Sequence, residues 1–405
     1  MKVKSELLKA GIVVLILLNL FNVLNYFFQF FMARMLSVVQ YGILATLMGL
    51  AYLFNVPAES IQLISSKYTS SLSKKNKEAI KGLLYKLSCK AFRISIFMYF
   101  AFIPISFILS WFFNIDVKLI LLTGLLIPLT FLAPINRGIL QGQKKLKEMG
   151  FLFLIEAVVK ITIGISLVLI GWGVYGAMTG VVLGLALSFI FSFTFIKDIL
   201  SYKKIEKLKL KRPYYYSFNV FFTLAIIFTM FSLDVLLARR FFEETLVGIY
   251  AIASLLGKTI FFAVTPISKA MFPLTSESKI KDSKKTLINS IKITVSLGGA
   301  AVILFFLFPE LVIKILFGSK YVKAAEVLGI IGLSFLSLTL INLLSYYLLS
   351  LGKVKKIKFL IIFPLLQIIL LSFFHYNLHQ FSLALLSSFL ITLLGLIIMV
   401  KNEKD

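Results

Sequence analysis

The chain has 405 residues, of which 60% are hydrophobic and only 15% charged, and its mean hydropathy is +0.98. That is more apolar surface than a water-soluble core of this length buries, so lipid must serve as solvent and a soluble enzyme or binding module is excluded. The 43 Lys and Arg against 17 Asp and Glu leave a formal charge of +26; in so apolar a chain this points to charge asymmetry between membrane loops rather than to nucleic acid as a partner.

A hydrocarbon layer of roughly 30 Å takes about 20 apolar residues per helix. Runs of that length recur, and their continuous Leu, Ile and Phe character lacks the alternation of a membrane β-barrel. Twelve helices are predicted, at about 8–33, 42–65, 92–113, 119–136, 151–170, 175–196, 214–238, 247–272, 287–308, 325–350, 359–375 and 382–400. The first follows Met1-Lys2-Val3-Lys4 without a small-residue cleavage site, which reads as an uncleaved helix rather than a signal peptide. Lys86, Lys90 and Arg93 share a helix face just before the third span, as an amphipathic approach on the inner leaflet or as snorkelling side chains.

Cations crowd into alternate connections: Lys67, Lys74, Lys75, Lys77 and Lys81; then Arg137, Lys144, Lys145 and Lys147; then the run from Lys203 to Arg212; then Lys279, Lys281, Lys284 and Lys285; then Lys353, Lys355, Lys356 and Lys358. Only seven of the 43 fall in segments assigned to the outside, namely Arg34, Lys118, Arg239, Arg240, Lys314, Lys320 and Lys323. Because cationic loops resist translocation, both termini are expected in the cytoplasm of a multi-pass cell-membrane protein.

The basic run halfway divides the chain into an N-terminal lobe (1–200), a cytoplasmic linker (201–212) and a C-terminal lobe (213–405). The lobes also share a motif. Ala33-Arg34, a short turn and Gly42-Ile43-Leu44-Ala45 are answered by Ala238-Arg239, a turn one residue longer and Gly248-Ile249-Tyr250-Ala251, and Pro57 is answered by Pro266. Six helices between copies give each the same orientation, hence a parallel repeat with its axis along the membrane normal. The expected fold is an all-α integral membrane protein, with about twelve transmembrane helices in two pseudo-symmetric six-helix bundles around a central cleft.

An ionisable side chain at bilayer depth costs at least a few kcal/mol, so each is a functional candidate. Lys258 is central in the eighth helix, has no acid within a turn of its own helix, and suits a diphosphate headgroup; its alternative is an ion pair with another helix. Lys269 lies on nearly the same face, eleven residues on at about 100° each, extending a cationic track or snorkelling at the inner surface. Glu156 and Lys160 have the i,i+4 spacing of an intrahelical pair, or line a polar cleft. Glu59 follows Pro57, where freed carbonyls favour a coupling Na⁺ or H⁺, or it partners a basic residue such as Lys258 or Lys269; Asp234 reads as part of an outer ion-pair cluster with Arg239 and Arg240, or as a polar cleft residue.

Other patterns are discounted. Gly171-x-Gly173-x-x-Gly176 follows a membrane helix and not a strand, so it is no dinucleotide site. Gly176, Gly180 and Gly184 instead give the sixth helix a smooth packing face. His375 and His379 have ligand spacing without a third ligand, and Cys89 is the sole cysteine, so neither a metal nor another cofactor is expected.

At Arg34-x-Leu36, Tyr41-Gly42, Leu140-Gln141-Gly142, Asp234-Val235, Gly248-Ile249-Tyr250, Phe272-Pro273 and Ser276-Glu277, the chain resembles oligosaccharide flippases of the polysaccharide-biosynthesis family, in the superfamily that includes MATE-type multidrug extruders. The resemblance implies a non-enzymatic, alternating-access flippase for an isoprenoid-diphosphate-linked oligosaccharide. Its partners would be that substrate, membrane lipids, glycan-assembly enzymes and a coupling ion. Lys258, Lys269 and Lys160 are the candidates for holding the substrate, and Glu59, Glu156 and Asp234 for coupling. A MATE-type multidrug antiporter is the alternative within transporters. A membrane glycan polymerase or ligase is the alternative from another class.

Overall fold

The computed structural model describes residues 2–72, 77–202, 214–276, 280–352 and 358–401. The basic run at 203–212, and with it most of the expected linker, lies outside the described residues, as do Lys74, Lys75, Glu277, Lys279, Lys353, Lys355 and Lys356. Every regular element among the described residues is helical: α1 (Lys2–Met35), α2 (Val38–Phe54), α3 (Val56–Leu72), α4 (Lys77–Phe113), α5 (Val117–Gly124), α6 (Leu126–Gly142), α7 (Leu146–Leu167), α8 (Gly173–Phe195), α9 (Lys197–Leu200), α10 (Tyr214–Phe241), α11 (Glu244–Ser276), α12 (Ile280–Leu307), α13 (Pro309–Phe317), α14 (Ala325–Ser350), α15 (Ile362–Phe373) and α16 (Leu378–Lys401).

Nine stretches of the described residues are long and apolar enough to cross a membrane. One of them, Leu146–Phe195, has 50 residues and would be about 75 Å long if straight, over twice the hydrocarbon thickness. It folds back instead: Gly171 and Gly173 take φ of +98° and +50°, open to residues without Cβ, and α7 packs against α8. Counting α7 and α8 separately, and adding α1 and the shorter α15, gives the twelve expected spans of an all-α integral membrane protein.

Two of these spans are broken. The second is interrupted at Asn55, and Pro57 falls in the first turn of α3, where its missing N–H costs nothing. The fourth breaks at Leu125, ahead of Pro128. Pro266, the repeat counterpart of Pro57, lies instead within the unbroken α11. The expected outer connection at 309–324 is also helical: α13 exposes Leu311 and Ile315 while burying Ile313 and Phe317, the amphipathic pattern of a helix lying at an interface.

The chain divides into two compact units. The first holds residues 1–36 and 50–221, with six spans ending at α8; the second holds 37–49 and 222–405, with the six from α10 onward. Residues 38–49, the greater part of α2, thus belong with the second unit.

The repeat is visible as backbone geometry. Leu36 N–H donates to Met32 O at 2.9 Å and Phe242 N–H to Ala238 O at 3.0 Å, while Tyr41 N–H donates to Ser37 O at 2.9 Å and Val247 N–H to Glu243 O at 3.0 Å. Both pairs are offset by the same interval as the two glycines. In the first copy Ser37 and Gln40 form a reciprocal capping box, Gln40 N–H to Ser37 Oγ at 3.1 Å and Ser37 N–H to Gln40 Oε1 at 3.2 Å. Within the second unit the two motif glycines touch: a Cβ on Gly42 would lie 2.9 Å from Gly248 N, and one on Gly248 would collide with Val38 O. Glycine is required there by close approach of backbone to backbone. Gly248→Ala is expected to lower stability by about 1–3 kcal/mol through overpacking, read as a lower thermal midpoint in detergent. Gly299→Ala, whose Cβ meets nothing within 4 Å, should leave the midpoint unchanged or raise it.

Candidate functional site

In the second unit, Lys258 of α11 is held by an acid on the preceding helix. Its Nζ lies 3.1 Å from Asp234 Oδ1 of α10, and the two side chains are 8% and 0% exposed. Ser254 Oγ donates to Asp234 Oδ2 at 2.5 Å and Tyr250 Oη approaches the same oxygen at 3.5 Å. The ammonium also sits over the rings of Phe231 at 5.0 Å and Phe335 at 5.6 Å, so aromatic faces supply what solvation remains. Lys258 is therefore a paired cation, the ion-pair alternative raised by its sequence position. Asp234 is no part of an outer cluster with the arginines, because Arg239 pairs with Glu244 at 2.9 Å.

The signal for this pairing is present in the sequence. α10 and α11 are joined by a two-residue turn, and Tyr250, Ser254 and Lys258 recur every four residues as a polar stripe in the first half of α11.

In the first unit the intrahelical Glu156–Lys160 pair does not form. Glu156 Oε2 meets Arg137 Nη2 of α6 at 2.5 Å, and Lys160 Nζ donates to Asn25 Oδ1 of α1 and lies 4.9 Å from the Phe28 ring. Arg137 donates in addition to Ser188 Oγ at 3.0 Å and stacks over Phe153 at 4.2 Å. Sequence position places Arg137 in a cytoplasmic connection; it is buried within α6 instead, since the helix runs on to Gly142. The group gathers side chains from α1, α6, α7 and α8, with two cations against one carboxylate.

The glycine face of α8 makes room for it. Cβ atoms on Gly180 and Gly184 would lie 2.7 Å from Gly164 Cα and from Glu156 O, so α7 and α8 pack backbone to backbone at the depth of Glu156 and Lys160.

The remaining candidates are placed differently. Glu59 is half-buried in the first turn of α3, and Lys269 is exposed on α11. Glu59 and Lys160 belong to the first unit and Lys258 and Lys269 to the second. His375 stacks on Phe241 with centroids 4.3 Å apart, an aromatic role in its turn.

A further ionic cluster lies outside the spans. Asp198 in α9 accepts from Lys145 at 3.2 Å and from Lys77 at 3.4 Å, and Lys81 Nζ donates to the carbonyls of Leu200 and Tyr202. Burial pushes the Asp198 carboxyl up, but the hydrogen bonds and charges of Lys145 and Lys77 outweigh it and hold it below the ordinary 3.8. A carboxyl so depressed stabilises the folded segment above the ordinary value and loses that contribution as pH falls through the native one. Protection of the amides at 197–202, relative to their intrinsic exchange at each pH, is expected to be high near neutrality and to fall below about pH 4. In Asp198→Asn it should be low at every pH.

The buried pair in the second unit gives a second expectation. Lys258→Met strands the Asp234 carboxylate and should cost about 3–5 kcal/mol, whereas Lys258→Met with Asp234→Leu should recover most of it. Thermal or denaturant unfolding of the two variants is the check; losses that simply add would mean that the two groups do not interact.

Known proteins agree with this architecture. An inward-facing multidrug-resistance MATE family transporter of the MOP superfamily superposes with a TM-score of 0.75 at 12% identity, over 94% of this chain and 95% of the other. The lipid II flippase MurJ in an inward closed conformation gives 0.72 at 19% identity, over 96% and 87%. The MATE multidrug transporter DinF-BH gives 0.69 at 15%, over 99% and 95%. At these identities the likeness establishes the fold; the matched proteins are transporters and a flippase, none of them an enzyme. No curated protein matches the sequence. The polysaccharide biosynthesis protein family matches residues 31–326, well over half of the chain, and the chain belongs to that family.

Proposed function

We propose that the protein is a flippase that carries an isoprenoid-diphosphate-linked oligosaccharide from the cytoplasmic to the outer leaflet of the cell membrane by alternating access, with both termini in the cytoplasm. The observation that carries this reading is the family match over residues 31–326, on a fold shared with a lipid II flippase. The alternation of cationic connections supports the orientation.

The charges favour an anionic cargo over a cationic one. Inside the spans the Asp234–Lys258 pair is neutral as a unit, whereas the group of Arg137, Glu156 and Lys160 carries one net positive charge, with Glu59 on α3 a further acid of the same unit outside that group. A diphosphate is bound by such an excess, with the arginine fork and the lysine point charge as complementary donors. Arg137 and Lys160 are buried in this conformation, so the headgroup engages them by exchanging with their resident partners, Glu156 and Asn25. Lys269, exposed on α11 of the second unit, is a separate candidate contact for the substrate. Lys258 acts chiefly as the counter-ion of Asp234. Glu156, Glu59 and Asp234 remain the candidates for a coupling Na⁺ or H⁺. Exporting negative charge is also driven by an inside-negative potential, at about 2.3 kcal/mol per charge per 100 mV. A multidrug antiporter with cationic substrates would need an acidic excess at the same depth. A glycan polymerase would let lipid-linked precursor reach the outer face without it.

Lys160→Met tests the reading in cells that depend on this protein. Exported glycan is expected to fall by about tenfold or more, the effect of losing roughly 1.4 kcal/mol of binding, while lipid-linked precursor accumulates on the inner face and protein abundance is unchanged. Normal export in this variant, or precursor appearing unpolymerised on the outer face of cells lacking the protein, would overturn it.

A further inference from the structure

The helix α4 has 37 residues, about 55 Å at 1.5 Å each, and so extends well beyond the roughly 30 Å of hydrocarbon. It is a single continuous helix, so the approach expected ahead of the third span is a direct extension of that span and not a separate helix lying in the membrane plane. Its outward face is well defined. Phe97 is 75% exposed, Phe100 63%, Ile108 64% and Trp111 73%. At about 100° per residue these four fall in one sector roughly 80° wide, and in a membrane protein such a sector faces lipid chains.

Lys86, Lys90 and Arg93 fall in the same sector and are all exposed. Trp111 and Arg93 are about 27 Å apart along the axis, close to the hydrocarbon thickness. With Trp111 in the interfacial belt on one side, Arg93 and Lys90 emerge at the phosphate level on the other, and Lys86 follows one turn farther out. From Ala79 to Phe113 the helix carries Lys81, Lys86, Lys90 and Arg93 and no acid. Tyr85 and Phe92, 60% and 54% exposed, flank the stripe as amphipathic and apolar side chains.

We propose that Lys86, Lys90 and Arg93 form a binding site for the headgroup of an anionic bilayer phospholipid, whose acyl chains lie along Phe97, Phe100 and Ile108. The lipid's phosphates and the cations are at the same depth, its tails follow an apolar strip continuous with that contact, and guanidinium and ammonium groups bind phosphate oxygens by charge-assisted hydrogen bonds. The site lies on the outward face of one helix and is separate from the buried groups of the two units.

The test uses the full chain in nanodiscs of phosphatidylcholine with a minor fraction of phosphatidylglycerol, with retained lipids counted by native mass spectrometry and thermal midpoints measured in parallel. Wild type should prefer phosphatidylglycerol and gain stability from it. Lys86→Gln, Lys90→Gln and Arg93→Gln together should weaken that preference by about tenfold or more, and Arg93→Gln alone by about fivefold, since each cation near an anionic surface contributes roughly that factor. A control with Lys118→Gln, Lys314→Gln and Lys401→Gln should retain it. An undiminished preference in the stripe variants, or an equal loss in the control, would overturn the proposal in favour of diffuse attraction or of another occupant of this face.

Discussion

An ion in hydrocarbon is stable only with a counter-charge or fixed donors around it, and this constraint organises the interior of the protein. Each unit is built from helices whose lipid-facing sides are almost wholly apolar, and each places its intramembrane charges against partners of its own. Asp234 and Lys258 neutralise one another beside the rings of Phe231 and Phe335 in the second unit, and Arg137, Glu156, Lys160 and Asn25, with Ser188, link four helices in the first. The helices that carry these groups approach closely where they must, as the glycine face of α8 against α7 shows. Charge placement and backbone packing are thus a single requirement: Glu156 and Lys160 sit at the depth where α8 has no side chains to spare.

The two clusters differ in a way that matters for transport. A neutral pair such as Asp234–Lys258 adds little net stability over an apolar pair but costs much to break, since removing either member leaves the other uncompensated. A cluster with surplus positive charge is a standing invitation to an anion. On the proposed reading the chain divides these charges between one group that secures helix pairing and one that takes the ligand. Binding to the second group must remain moderate, because a headgroup held as firmly as a structural ion pair would not be released on the far side.

Much of the fold is legible in the sequence because membrane helices announce themselves by length and hydropathy, and because loop cations alternate. The repeat is legible from the Arg34 to Ala45 and Arg239 to Ala251 segments, and the structure gives them equivalent turn hydrogen bonds. Pro57 and Gly171 mark real breaks. The pairing of charges is not legible to the same degree, since a side chain's partner across helices depends on rotation and register that composition does not encode. Arg137 is hidden by its proximity to a cytoplasmic loop, where any cation satisfies the topology rule. Without Arg137, spacing alone assigns Glu156 to Lys160. Lys258 has no acid near it on its own helix, although the short α10–α11 turn and the Tyr250, Ser254, Lys258 stripe point to Asp234. α13 escapes notice because nine residues are too few to register as a span.

The surplus positive charge of the Arg137–Glu156–Lys160 group is the proposed place where an anionic lipid head is held. Equilibrium binding of farnesyl diphosphate to the purified protein in nanodiscs tests it most directly. Binding should be saturable, should weaken at least about tenfold in Lys160→Met and in Arg137→Lys, and should persist in the variant that removes both Asp234 and Lys258. Binding that is indifferent to Arg137 and Lys160, or that vanishes with the Asp234–Lys258 pair, would contradict it.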